Sequence, residues 1–228
     1  MGPGAASSRS FLESLLEEER RALLDVGRIR RWASGELLVR SGDRVDSATV
    51  LLEGSVKVHR TAAEGAEVVL ALLGPGDLLG EMSAVRDAER SANATALEAV
   101  AGLVIPVPDL RGFLSAHPHA MLALLEMAVA RLHLADLRRI EFATAGSLAR
   151  VATRLVELAE RFGSEREDGA IEVGIPLTQE ELAAWSASSR ESTARALHTL
   201  RELGVLETRR RRLIVRDLER VRPHAARL

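Results

Sequence analysis

Between residues 32 and 107 short apolar runs alternate with turn-forming residues, and this texture limits the fold more than any other feature of the chain. The runs are residues 50–52, 56–58, 68–73 and 103–107. Between them stand Ser41, Gly42 and Asp43, then Glu53 and Gly54, Glu64 and Gly65, and Gly74, Pro75, Gly76 and Asp77. Runs so short and so regularly interrupted predict many brief strands, and therefore a barrel or sandwich. Ahead of them residues 11–24, FLESLLEEERRALL, set Leu15, Leu16, Leu23 and Leu24 at helical spacing with acids between, which predicts one amphipathic helix. After Pro108 and Pro118, residues 121–145 hold neither Gly nor Pro, and Met121, Leu124, Ala128, Leu132 and Ala135 fall at steps of 3, 4, 4 and 3. Such a stripe suits a helical seam between two copies, or equally a helix lying on its own barrel. Gly146 interrupts the pattern and is a candidate hinge, with Ser147 able to cap the next helix; residues 163–169 read as a loop.

Composition removes several classes. The chain has 228 residues and no cysteine, so disulfides, thiolate zinc sites and cysteine-ligated iron–sulfur clusters are excluded. No apolar run approaches membrane-span length, and the first ten residues lack the apolar core of a signal peptide, so a soluble cytoplasmic protein without membrane association is expected. The net charge is −2, but residues 145–228 carry 15 basic and 13 acidic residues, a weak pointer to an anionic partner at that end. The six histidines are scattered; only His117 and His119 approach ligand spacing, and across Pro118 they read as a surface turn, so no metal is expected. No nucleophile, base and orienting group come together, so no enzyme is expected.

Residues 177–201 read LTQEELAAWSASSRESTARALHTLR. Thr178 followed by Glu181 is a capping box, Ser186, Ala187 and Ser188 make a turn, and Ser189 can cap a second helix. Helix, tight turn, helix is the pattern that sets a second helix in the DNA major groove. Arg190, Glu191 and Arg195 would share a face opposite Ala194, Leu197 and Leu200. Arginine forks onto guanine O6 and N7, and a carboxylate accepts from cytosine N4, so the three suit a GC-containing half-site. Ser189, Ser192 and Thr178 would hold phosphates. The alternative is an ordinary solvated, salt-bridged helix face. Residues 203–208, then Arg209, Arg210, Arg211 and Arg212, then residues 213–215, predict a two-stranded wing with an arginine tip along the phosphate backbone.

In the N-terminal half, Gly80, Glu81, Met82 and Ser83 follow a strand, and Arg90 and Ser91 come nine and ten residues after Glu81. Backbone N–H groups at a short helix start, a forked Arg90 and the Ser91 hydroxyl could bind a phosphate, while Glu81 could accept from a ribose hydroxyl. That combination suits a sugar phosphate; a Glu81–Arg90 salt bridge is the plain alternative.

Taken together these segments resemble the CRP/FNR superfamily over residues 34–215. The resemblance is carried by GELLVRSGD (35–43), LLEGSVKV (51–58), LGPGDLLGEMS (73–83), ERSA (89–92) and SRESTAR (189–195), in the family's order and spacing. It implies an α+β architecture: a cyclic-nucleotide-binding jelly-roll β-barrel with an N-terminal helix over residues 1–116, a long dimerisation helix over 117–145, and a winged helix-turn-helix over 146–228. It further implies a homodimer on a pseudo-palindromic, TGTGA-like site in double-stranded DNA, RNA polymerase as a partner, and cAMP, with cGMP possible, as the effector. The cassette would be Gly80, Glu81, Met82, Ser83, Arg90 and Ser91; the base-reading trio would be Arg190, Glu191 and Arg195. Three positions depart from the pattern. The hydroxyl pair that meets adenine in cAMP-binding members falls at Ala135 and Asp136, which leaves guanine or an unused pocket open. The turn glycine is Ala187, expected to cost about 1 kcal/mol if φ there is positive. A barrel serving only as a scaffold, or a module acting on a protein partner, are the competing readings.

Overall fold

The computed structural model describes residues 9–62, 65–82, 88–209 and 212–226. It divides into two compact units, Met1–Arg60 with Leu70–His133, and Leu134–Leu228 with Thr61–Val69.

In the first unit the runs flagged above become β1 (Arg28–Trp32), β2 (Leu37–Val39), β3 (Ser47–Glu53), β4 (Val56–Thr61), β5 (Glu67–Leu73), β6 (Leu78–Leu79), β7 (Asn93–Ala96) and β8 (Val100–Pro106). They build two four-stranded sheets, in the orders β1-β8-β3-β6 and β2-β7-β4-β5. Neighbouring residues in a strand face opposite sides, and the core obeys this. Leu51 and Leu79 join Trp32, Val56, Leu73, Ala94 and Val100 between the sheets. Their neighbours Val50 and Leu78 face outward, under the helices α1 (Phe11–Ser14), α2 (Glu17–Asp25), α3 (Val107–Ala116) and the start of α4 (Pro118–Thr144).

The single helix expected over residues 11–24 is two. Leu15 and Leu16 are extended, and Glu13 and Glu19 turn back onto the N–H groups of Ser10 and Leu16, so each short helix starts with its own cap. Leu15 and Leu23 are buried, whereas Leu16 and Leu24 are exposed.

The second unit holds the last turns of α4, then α5 (Ser147–Phe162), β9 (Gly163–Glu165), β10 (Ile171–Val173), α6 (Gln179–Trp185), α7 (Arg190–Glu202), β11 (Leu206–Arg209), β12 (Arg212–Val215) and α8 (Leu218–Val221). Residues 163–169, read as a loop, contribute the strand β9. The wing hairpin β11–β12 is thereby extended to four antiparallel strands in the order β11-β12-β10-β9. Val151, Leu155 and Leu158 of α5 are buried, as are Leu182, Leu197, Leu200 and Ile214. Among the described residues no helix is long and apolar enough to cross a membrane.

Candidate ligand pocket and nucleic-acid interface

The candidate ligand site in the first unit centres on Arg90. Its side chain is only 8% exposed, Nη2 donates to the Ser47 carbonyl at 2.6 Å, and Asp46 lies at 3.5 Å. Burial lowers its pKa, opposed by the charges of Asp46, Asp43 and Glu81. Its main chain is pinned to the β2–β3 turn, with Arg90 N–H on the Asp43 carbonyl at 2.9 Å and Gly42 N–H on the Arg90 carbonyl at 2.9 Å. Nη1 is buried and has no hydrogen-bond partner. A buried donor left unpaired costs about 1–3 kcal/mol, so a guanidinium held this way is poised to take a further acceptor. Gly80 makes the room: its φ is +86°, and a Cβ there would sit 2.2 Å from that same Nη1. These features fit the phosphate of a cyclic nucleotide.

Glu81 is buried as well, but its ion pair is with Arg131 of α4 at 2.5 Å, not with Arg90; Arg131 also donates to the Leu78 carbonyl at 2.9 Å. Sequence reasoning missed Arg131. A signal existed, because Ala120, Ala123, Leu124 and Met127 form the stripe of α4 that packs on the first core, and Arg131 lies one turn beyond Met127. Met82 and Ser91 are exposed, and Ser83 lies outside the described residues. Ala135 and Asp136 are exposed residues of the second unit, with the Asp136 carboxylate 3.2 Å from Arg139. His117 donates to the Phe113 carbonyl and stacks on its ring, and His119 bonds Glu19. Among the described residues no group of acidic and histidine side chains is arranged to hold a metal.

The helix-turn-helix follows from its caps. Thr178 Oγ1 accepts from Glu181 N–H at 3.1 Å while Glu181 accepts from Thr178 N–H at 2.9 Å. Ser189 Oγ accepts from Ser192 N–H at 3.1 Å and opens α7. Between them Ala187 has φ +48°, the one non-glycine residue with positive φ among those described. The hydroxyls expected to hold phosphates are engaged in this capping, and the Ser192 hydroxyl accepts from Arg195 at 3.0 Å.

Thr193, Ala196, Leu197 and Leu200 form the buried side of α7, and Arg190, Glu191 and Arg195 stand exposed. Ala194, assigned by sequence to the buried side, is exposed with them, as is His198. At 100° per residue, position 194 falls between 190 and 191, and position 193 takes its place inside. Arg190 is ion-paired with Glu180 of α6, and Arg195 with Glu191.

On the wing, Arg209 pairs with Glu207 at 2.7 Å and Arg212 with Glu172 at 3.0 Å; Arg210 and Arg211 lie outside the described residues. Glu207 also holds Arg216, which reaches Asp168 at 2.7 Å, and Arg166 links Asp168 to Glu172. The hydrogen bond from Arg209, ahead of that from Arg216, lowers the Glu207 pKa.

A second group missed by sequence lies under the helix-turn-helix. Arg154 and Glu141, 5% and 4% exposed, pair at 2.5 Å, Glu157 takes Arg154 and Arg138 at 3.0 Å each, and both guanidiniums lie over the Trp185 ring at 5.4 and 5.8 Å. Only the fold brings these residues together.

The comparisons with known proteins agree with both halves. Residues 29–117 match the cyclic nucleotide-binding domain and residues 149–223 the Crp-like helix-turn-helix domain. The CRP-like cAMP-activated global transcriptional regulator of Mycobacterium tuberculosis is 30% identical over 187 residues, covering 82% of this chain and 83% of the relative. The cyclic AMP receptor protein of Thermus thermophilus is 31% identical over 196 residues, covering 86% and 87%. Among solved structures, FixK2 from Bradyrhizobium japonicum superposes with a TM-score of 0.79 at 18% identity over 89% of this chain and 99% of its own, a likeness of fold alone. Two domains in the family's order, with relatives aligned over more than four-fifths of their own length, place the chain in the CRP/FNR family, as a DNA-binding transcription regulator that carries a cyclic-nucleotide-binding domain.

Proposed function

We propose that the protein is a homodimeric regulator whose N-terminal barrel binds cAMP and whose two recognition helices read a pseudo-palindromic, TGTGA-like DNA site. The observation that carries the sensor half is Arg90 Nη1, buried, partnerless and facing the bare Cα of Gly80. In this reading Arg90, Gly80 and the N–H groups that follow take the cyclic phosphate, and Glu81, oriented by Arg131, takes the ribose hydroxyl. The names of the two relatives at 30% and 31% identity support cAMP as the effector. Arg190, Glu191 and Arg195 read base edges, Arg209 to Arg212 follow the backbone, and residues 1–116, 117–145 and 146–228 serve as sensor, dimer helix and reader. RNA polymerase is the downstream partner, and the cytoplasm, where the DNA is, the place of action.

A second reading, a barrel that binds cGMP or serves only as a scaffold, is favoured by Ala135, which offers no hydroxyl to a base. Calorimetric titration decides between them. The full-length protein binds cAMP, and Arg90→Ala weakens binding about a hundredfold, the scale of losing a buried charge-assisted pair. Binding of cGMP in preference transfers the assignment to guanine, and a folded protein that binds neither nucleotide selects the scaffold. Anisotropy with a TGTGA-like duplex, with and without nucleotide, then reads the coupling.

A further inference from the structure

Arg150, near the start of α5, makes four hydrogen bonds that the reading above does not use. Nη1 donates to the carbonyl of Ala145 at 2.6 Å, Nε to the carbonyl of Ser186 at 2.9 Å, and Nη2 to the Ala187 carbonyl at 3.0 Å and the Ser188 hydroxyl at 3.3 Å. Its guanidinium carbon lies 5.6 Å from the Phe142 ring centre. One planar cation thus spans the last turn of α4 and all three residues of the turn between α6 and α7. That turn contains Ala187 at φ +48°. Left-handed backbone crowds Cβ against the following carbonyl, so an alanine leaves it readily unless its surroundings hold it there. The Ser188 N–H on the Ala183 carbonyl at 3.0 Å is the backbone's own closure, and Arg150 adds three charged bonds to consecutive residues.

We infer that Arg150 is a positioning residue for DNA readout: by gripping Ser186, Ala187 and Ser188 it holds the strained turn, and so sets the direction in which α7 presents Arg190 and Arg195. The inference rests on those two arginines being base contacts. It also gives the end of α4 a route to the turn, because the same guanidinium holds the Ala145 carbonyl.

The test compares anisotropy titrations on a TGTGA-like duplex and a scrambled duplex for the full-length protein with saturating cAMP. The variants are Arg150→Ala, Arg150→Lys, Ala187→Gly and the double variant Arg150→Ala/Ala187→Gly. Arg150→Ala lowers the ratio of the two affinities about tenfold, the scale of losing bonds to a charged donor, while cooperative unfolding and cAMP binding persist. Arg150→Lys also lowers the ratio, because a single ammonium cannot fork across three residues. Glycine adopts positive φ without strain, so Ala187→Gly restores most of the ratio in the Arg150→Ala background and changes little alone. A residue that only supported the fold would weaken both duplexes alike and gain nothing from glycine. If Arg150→Ala does not fold, the lysine and double variants carry the same comparison. An unchanged ratio in the arginine variants, or no rescue by glycine, overturns the inference while the base-contact reading stands. No discrimination by the unaltered protein overturns that reading and the inference with it.

Discussion

Glu19 keeps a carboxylate inside the first unit at 3% exposure. It accepts from Leu16 N–H at 2.9 Å, Ala120 N–H at 3.1 Å and His119 Nδ1 at 2.8 Å. Burial alone would push it up, but the hydrogen bonds from Leu16, His119 and Ala120 outweigh burial and hold it below the ordinary glutamate range. A depressed folded-state value means stability that is present at neutral pH and is lost as pH falls through that value. We expect the urea midpoint to drop on acidification below the ordinary glutamate range. Glu19→Gln flattens that part of the profile and costs about 2 kcal/mol at pH 7, since the buried Ala120 N–H and the half-buried Leu16 N–H lose a charged acceptor. Denaturant unfolding across pH checks both. In the sequence Glu19 was one acid among several between leucines; its partner Ala120 lies a hundred and one residues away, a distance no local pattern spans. Arg90 stood out because its glycine and serine neighbours suggested a phosphate site, whereas Arg150 was one arginine among thirty.

Apolar residues line two sides of α4. Of the alternatives left open by its periodicity, a helix on its own barrel or a seam, the first holds for one face of α4. Ala120, Ala123, Leu124 and Met127 pack on the first core. Leu122, Leu125, Val129 and Leu132 form another stripe, 53–63% exposed, at steps of 3, 4 and 3. Leu124, part of the stripe that the sequence left open between seam and barrel, belongs to the barrel face, one residue out of phase with the exposed stripe. An apolar stripe of this length on a water-facing helix is the surface a second copy would cover under the proposed dimer. Leu125→Glu together with Val129→Glu is therefore expected to convert a dimer into a folded monomer, read by sedimentation velocity and by loss of affinity for the two-half-site duplex of at least tenfold. A dimer that survives both substitutions would place the seam elsewhere. The barrel strands were legible because period-two alternation and glycine turns are local. The split of the first helix was not, because its capping residues Glu13 and Glu19 stand among other acids between the leucines, and nothing local marks them out.

Charge is the property of the whole molecule that bears on its partner. With a net charge of −2, long-range attraction to DNA is weak, and the described arginines of the proposed reading surface are matched by the chain's own acids. Glu180 holds Arg190, Glu191 holds Arg195, Glu207 holds Arg209 and Glu172 holds Arg212. Exposed pairs are worth at most about 1 kcal/mol each, so DNA exchanges them without difficulty, but unspecific attraction is muted. Glu180→Gln is expected to raise affinity for scrambled duplex about two- to fivefold at low salt and to steepen the dependence on salt by up to about one unit. Titrations from about 50 to 200 mM salt measure it.

By itself the sequence determined the order of the two domains and the class of fold in each, because caps, turn glycines and apolar periods act within a few residues of one another. The tertiary structure alone decided that Arg131 meets Glu81, which stripe of α4 stays uncovered, and that a strained alanine turn is clasped by Arg150. Those outcomes depend on side chains far apart in the chain competing for the same partner. Arginines and glutamates are so frequent here that only distance in space, not position in the chain, selects among them.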